Sequence, residues 1–272
     1  MKFLFLVAFF SLSSICFAQR RFMVFANGYI SPFQDKIPRN NGVTQIPQGY
    51  WYAFDDTIRR RFNPVIPFYI SGHHPVSTSV HRSKLRFIGS WMLSRCIWFR
   101  SEQGFSLNKT YNPDGFMTRY ANGEICGNNF LQFVQDSLDS FSRKDTLDLV
   151  CHSMGYAYIL GFLHAVDTTF TLGKALILSP ESPGFMGYEW HRFQEVWQYG
   201  SDLGMVHSDI ICFQDGIAPQ GPVKGIESLA PSKGGRIFLP KDAKKGFIRS
   251  HHMKWYDWVY GIKPGEYGYF GR

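Results

Sequence analysis

The sequence predicts an α/β chain built on a doubly wound, mostly parallel sheet, and three observations predict it. Short apolar runs recur along the chain: RFMVFA at 21–26, VIPFYI at 65–70, LDLVC at 147–151, ALILS at 175–179, DIICF at 209–213 and RIFL at 236–239. Such runs lack the in-out alternation of a half-solvated strand, so both faces of their sheet must be covered. Segments with helical spacing separate several of them, which is the order of a parallel sheet with crossover helices. The length of 272 residues, 44% of them hydrophobic and only 18% charged, suits one large domain and excludes a disordered tail or a disulfide-held miniprotein.

The individual elements follow from local chemistry. The run 21–26 is stopped by Asn27-Gly28 and the run 65–70 by Ser71-Gly72, both turn pairs. Between them, 29–64 is rich in Pro, Gly and Asn and reads as surface elaboration, with a helix opening near Trp51 to Asp56. A mixed apolar and basic pattern at 83–99 predicts a helix broken near Gly89, and the glycine-punctuated stretch 101–127 reads as a loop or lid. Phe130, Phe133, Val134, Leu138 and Phe141 recur at three- and four-residue spacing and predict a helix over 128–141. A nearly all-apolar helix follows at 156–166, and the aromatic-rich region 188–199 reads as a lid-like helix.

The amino end has a distinct design. Residues 1–18 carry one lysine, an apolar core at 3–10 and a small-residue site ending at Ala18, the build of a secretory signal peptide. The expectation is therefore export, secreted or periplasmic, with 19–272 forming a single domain that carries insertions at about 29–64 and 101–127. Of the 29 basic side chains, only Lys2 leaves with the leader, so a modest positive excess over 21 acidic ones remains. It is scattered apart from Arg59-Arg60-Arg61 and Lys241 with Lys244-Lys245. That excludes a nucleic-acid partner on pattern; the basic runs read first as a solvated face, with peripheral contact with an anionic membrane surface as the alternative. Cys96, Cys126, Cys151 and Cys212 remain after cleavage. Cys96 with Cys126, both in polar surroundings, is the candidate disulfide, whereas Cys151 and Cys212 sit in apolar runs and read as core residues. No CxxC spacing points to zinc, and the paired histidines His73-His74 and His251-His252 lack the i, i+4 spacing of helical metal ligands, so no metal and no cofactor is expected.

One segment carries chemistry. In LDLVCHSMGYAYIL a serine stands between a buried strand and a buried helix, where the turn must be sharp and the hydroxyl is pushed above the carboxyl ends of the sheet. The surrounding C-H-S-M-G resembles the G-H-S-M-G elbow of the α/β-hydrolase family, in particular its lipase and esterase-like members, with Cys151 in place of the first glycine. The resemblance covers motif-level stretches at 22–29, 147–160, 209–219 and 236–253, and implies a minimal α/β-hydrolase core with cap insertions. It also implies a Ser-acid-His order: Ser153 as nucleophile, Asp215 as acid after the 209–213 strand, and His252 or His251 as base after the last strand. Glu181, after the 175–179 strand, is the alternative acid. The implied oxyanion donors are the amide of Met154 and one from Gly28 or Tyr29.

A carboxylic ester, small-molecule or lipid, is the implied substrate, cleaved through an acyl-enzyme. Aromatics at 105–120 and 185–199 would suit an acyl chain. A non-catalytic envelope-binding protein on the same scaffold is the competing reading. The oligomeric state is left open.

Overall fold

The computed structural model describes residues 19–28, 42–72, 113–138, 141–200, 221–238, 251–261 and 270. The leader, the 83–99 helix, the 209–213 strand, Cys96, Cys212, Tyr29 and Asp215 lie outside them. Among the described residues a seven-stranded sheet has the order β2-β3-β1-β4-β5-β6-β7. Its strands are β1 Arg21–Asn27, β2 Val43–Thr44, β3 Ile66–Ser71, β4 Thr146–His152, β5 Thr171–Leu178, β6 Glu195–Gly200 and β7 Gly234–Phe238. All neighbours pair in parallel except the two-residue β2, which runs antiparallel to β3 at one edge.

Alternate residues of each strand feed two different cores, as the period of two requires. Phe22, Val24 and Ala26 of β1 face one layer, made by helix α2 (Pro113–Leu138) and helix α3 (Gly155–Val166). Met23 and Phe25 face the other, where helix α1 (Phe54–Phe62) and the 3-10 helix Met253–Gly261 pack with Tyr50 and Trp51. The result is an α/β fold with a covered, mostly parallel sheet.

Three sequence expectations need correction. The 101–127 stretch is no loop from residue 113 on, because α2 runs unbroken through it. Its glycines are packing residues: a Cβ on Gly123 would stand 1.9 Å from the Tyr158 carbonyl oxygen, and one on Gly161 of α3 would stand 1.8 Å from that of Tyr120. The two helices cross with backbones nearly touching, and only glycine leaves that room. The 188–199 region is no lid helix. It holds a short 3-10 turn, Trp190–Arg192, and then β6. Glu195 and Gln198 hid this strand by looking solvent-facing, yet both are buried. Lys174 Nζ lies 2.7 Å from Glu195 Oε2, and the Gln198 amide donates to the Gly221 carbonyl at 2.7 Å and accepts from the Val223 N–H at 2.9 Å. The described part of 29–64 is not surface elaboration either, since Tyr50, Trp51, Phe54 and Ile58 are core residues.

The candidate disulfide also fails. Cys126 is a free, buried thiol that points its sulfur at the Gly42 carbonyl, and Cys151 is free as well. Burial pushes the Cys126 thiol up to about 12, so it carries no thiolate at neutral pH. The native protein should therefore leave Cys126 and Cys151 unmodified by iodoacetamide while the urea-unfolded protein takes label at both, read by peptide mass spectrometry. Native labelling of Cys126 would contradict this burial. In the helix crossing, Gly161→Ala should lower stability by about 1–3 kcal/mol in denaturant unfolding, through overpacking. That sign opposes the gain of about 1 kcal/mol that alanine brings to an unpacked helix.

Candidate functional site

The sheet order itself marks a position. From β1 the chain moves to β3 on one side, then returns to β4 on the other and continues outward to β7. The carboxyl ends of β1 and β4 thus flank the topological switch point, where open α/β sheets hold their ligands. Gly28 follows β1 there and Ser153 follows β4.

Ser153 adopts φ +57, a left-handed conformation for a residue with a Cβ. Ser179 and Ser182, beyond the end of β5, do the same at φ 40 and 48. Such strain costs roughly 1–3 kcal/mol per residue and persists only where neighbours impose it. They do so here. The Ser153 N–H donates to the Leu178 carbonyl at 3.0 Å, the Ser179 N–H to the Tyr199 carbonyl at 2.7 Å and the Glu181 N–H to the Ser153 carbonyl at 3.3 Å. A Cβ on Gly155 would stand 2.5 Å from the Ala26 carbonyl oxygen, so α3 starts directly against β1. Cys151, where the elbow motif has glycine, is accommodated in the core on the α3 side of the sheet.

Around the Ser153 hydroxyl stand two partners. The hydroxyl donates to Glu181 Oε1 at 2.9 Å, and His251 Nε2 lies 3.0 Å from the same oxygen. His251 Nε2 and Glu181 Oε1 are themselves 3.7 Å apart. The one hydroxyl proton goes to the carboxylate, and the direction of the bond between the serine oxygen and the imidazole nitrogen is set by the tautomer of His251. Glu181 meets the ring on the nitrogen that faces Ser153, a different position from the far-side carboxylate that orients a catalytic imidazole. Ser153 and Glu181 are buried, and His251 is half-buried.

Of the two candidate imidazoles, His251 is the one brought to the serine hydroxyl. The His252 ring lies 5.5 Å from that of Tyr52, and its Nδ1 accepts the Lys254 N–H at 3.1 Å. Consecutive residues entering a helical turn point in different directions, so one position along reverses which ring faces the site. The segment is anchored by Tyr256, whose hydroxyl donates to the Tyr199 carbonyl at 2.9 Å and lies 3.0 Å from Ser179 Oγ.

The Gly28 amide is engaged elsewhere: it donates to the Tyr50 hydroxyl at 2.9 Å. What Gly28 contributes is room, since a Cβ there would stand 2.6 Å from the Ser153 Cβ. Met154 caps the amino end of α3, and its N–H has no acceptor among the described residues. Sequence reasoning missed Tyr50 and His152 as members of this site. His152 Nδ1 is bonded to the Tyr50 hydroxyl, and its Nε2 lies 2.7 Å from the His251 carbonyl oxygen. These partners are about a hundred residues apart in the chain, beyond any motif spacing.

Among the described residues no group of three or more His, Cys, Asp or Glu side chains gathers as a metal site, and no helix is long and apolar enough to cross a membrane. No protein-family model, curated protein or solved structure matches the chain.

Three imidazoles share this region, and all are held below the ordinary histidine range. Burial lowers His251 to about 3, helped by the neighbouring His252. Burial, then the charge of His251, lowers His152, and burial with Lys254 lowers His252. The unfolded chain takes up protons below the free-imidazole value of 6.5, whereas folded His251 refuses its proton until about 3. Stability should be full above about pH 6.5 and fall progressively as pH drops toward 3. Urea midpoints measured at pH 7.5, 5.5 and 4.5 should decrease in that order, and a flat series would contradict the buried neutral cluster.

Proposed function

We propose that the chain is an exported serine hydrolase of the α/β-hydrolase type, which cleaves a carboxylic ester through an acyl-enzyme on Ser153. The observation that carries this reading is a serine in a strained strand-to-helix turn at the switch point, with His251 Nε2 3.0 Å from its hydroxyl oxygen. A serine hydroxyl is a weak nucleophile at neutral pH and needs a base within hydrogen-bond reach. His251 is neutral at that pH and has the nitrogen to serve.

In this mechanism the Ser153 hydroxyl proton passes to His251 Nε2 as Oγ attacks the ester carbonyl. The oxygen that becomes negative is met by the Met154 N–H, with Tyr29 as the second donor in place of the engaged Gly28 amide. His251 returns the proton to the departing alkoxide. Water then attacks the acyl-serine by the same route in reverse. Asp215 is the acid that would orient His251, because Glu181 stands at the hydroxyl and not behind the ring. Glu181 holds the hydroxyl at rest and gives up its hydrogen bond as the proton moves.

The acyl group is left unspecified. Trp190, Phe193, Trp197 and Tyr199, from the region expected to line an acyl site, are buried in the two cores and give no support for a lipid chain.

A fluorophosphonate probe should label the wild-type protein at Ser153, and Ser153→Ala should abolish labelling. Absence of both labelling and hydrolysis of short p-nitrophenyl esters would favour a binding protein on this scaffold. With folding intact, Asp215→Asn should reduce turnover by about 10⁴, the scale of the equivalent change in a serine protease. Near-normal turnover there, with loss in Glu181→Gln, would move the acid to Glu181.

A further inference from the structure

We propose that Tyr50 and His152 are positioning residues, a buried hydrogen-bonded chain that holds the Gly28 backbone at the end of β1 and the backbone of His251 at a fixed separation on either side of Ser153. Every donor and acceptor in this chain can be assigned. The His251 carbonyl only accepts, so His152 Nε2 carries the hydrogen in their 2.7 Å bond. A neutral imidazole has one such hydrogen, so Nδ1 is bare and accepts the Tyr50 O–H. The Tyr50 oxygen in turn accepts the Gly28 N–H at 2.9 Å. The sequence of bonds is Gly28 N–H to Tyr50, Tyr50 O–H to His152, and His152 N–H to the His251 carbonyl.

This chain ties three segments: the end of β1, the end of β4 and the carboxy-terminal segment that begins its helical turn at His251. Tyr50 and His152 are both buried, so water cannot replace a lost partner cheaply. His152 lies next to Ser153 in sequence but faces the opposite core from Cys151, in contact with the Tyr256 ring that anchors the His251 segment. Neither Tyr50 nor His152 needs to touch substrate. They act through the placement of the His251 ring and of the Gly28 backbone, where a shift of about 1 Å can cost on the order of a hundredfold in rate.

The kinetic part rests on the hydrolase reading, and the spectroscopic part does not. In full-length protein labelled with [15N]histidine, long-range proton–nitrogen spectra should show His152, identified by its loss in His152→Gln, with hydrogen on Nε2 and a bare Nδ1 from pH 7.5 to 5.5. Tyr50→Phe should disturb that tautomer. It should also lower the limiting rate of fluorophosphonate labelling by about a hundredfold, with little change in the half-saturating probe concentration. His152→Leu should do the same. His152→Gln, whose amide can donate to the His251 carbonyl and accept from Tyr50, should retain most of the rate. Wild-type rates in both Tyr50→Phe and His152→Leu would overturn the proposal, as would hydrogen on His152 Nδ1. If wild-type protein takes no label at all, the hydrolase reading fails and the His152 tautomer alone decides the chain.

Discussion

The close approach of three backbones at one point governs this protein. The end of β1, the end of β4 and the first turn of α3 meet where Ala26, Gly155, Gly28 and Ser153 stand within contact of one another, and a side chain at either glycine would collide with its neighbours. The turn that satisfies this constraint forces Ser153 into a left-handed conformation. Its hydroxyl is thereby placed at the sheet's switch point with His251 and Glu181. The site is a consequence of how strand and helix are made to fit.

Around that point, polar groups are organised so that burial is tolerated. The Ser153 and Tyr50 hydroxyls, the His152 imidazole and the Gly28 amide each have a partner of the opposite kind, which is what keeps a polar cluster from destabilising an apolar core. Burial also holds the three histidines neutral. The same burial that makes the cluster vulnerable to acid weakens His251 as a base in the resting protein, so a base role requires its imidazolium to be stabilised as the proton arrives.

Much of the sheet was legible because its strands are buried on both faces and read as continuous apolar runs. The β1, β3, β4 and β7 segments fall within two residues of the runs that predicted them, and β5 ends within one residue of its run but begins four residues earlier. β6 was not legible, because Glu195 and Gln198 satisfy themselves by partners that no local pattern announces. The α2 helix was half-hidden for a related reason: Gly123 and Gly127 look like loop residues until α3 is laid against them. In the site, Ser153 was legible from a strand-serine-helix pattern. Which of two adjacent histidines faces it was not, since one residue of helical phase decides it. The Tyr50 and His152 contributions were invisible because long-range contacts leave no spacing. The resemblance to α/β-hydrolases rests on the few stretches that carry its motif, while the mostly parallel, covered sheet stands on the fold itself.

The most direct measurement is a crystal structure of the protein after reaction with diisopropyl fluorophosphate. The account expects phosphorus bonded to Ser153 Oγ, His251 Nε2 within hydrogen-bond reach of that oxygen, and a phosphoryl oxygen on the Met154 N–H. An unmodified Ser153, or an adduct served by His252 with His251 turned away, would contradict it.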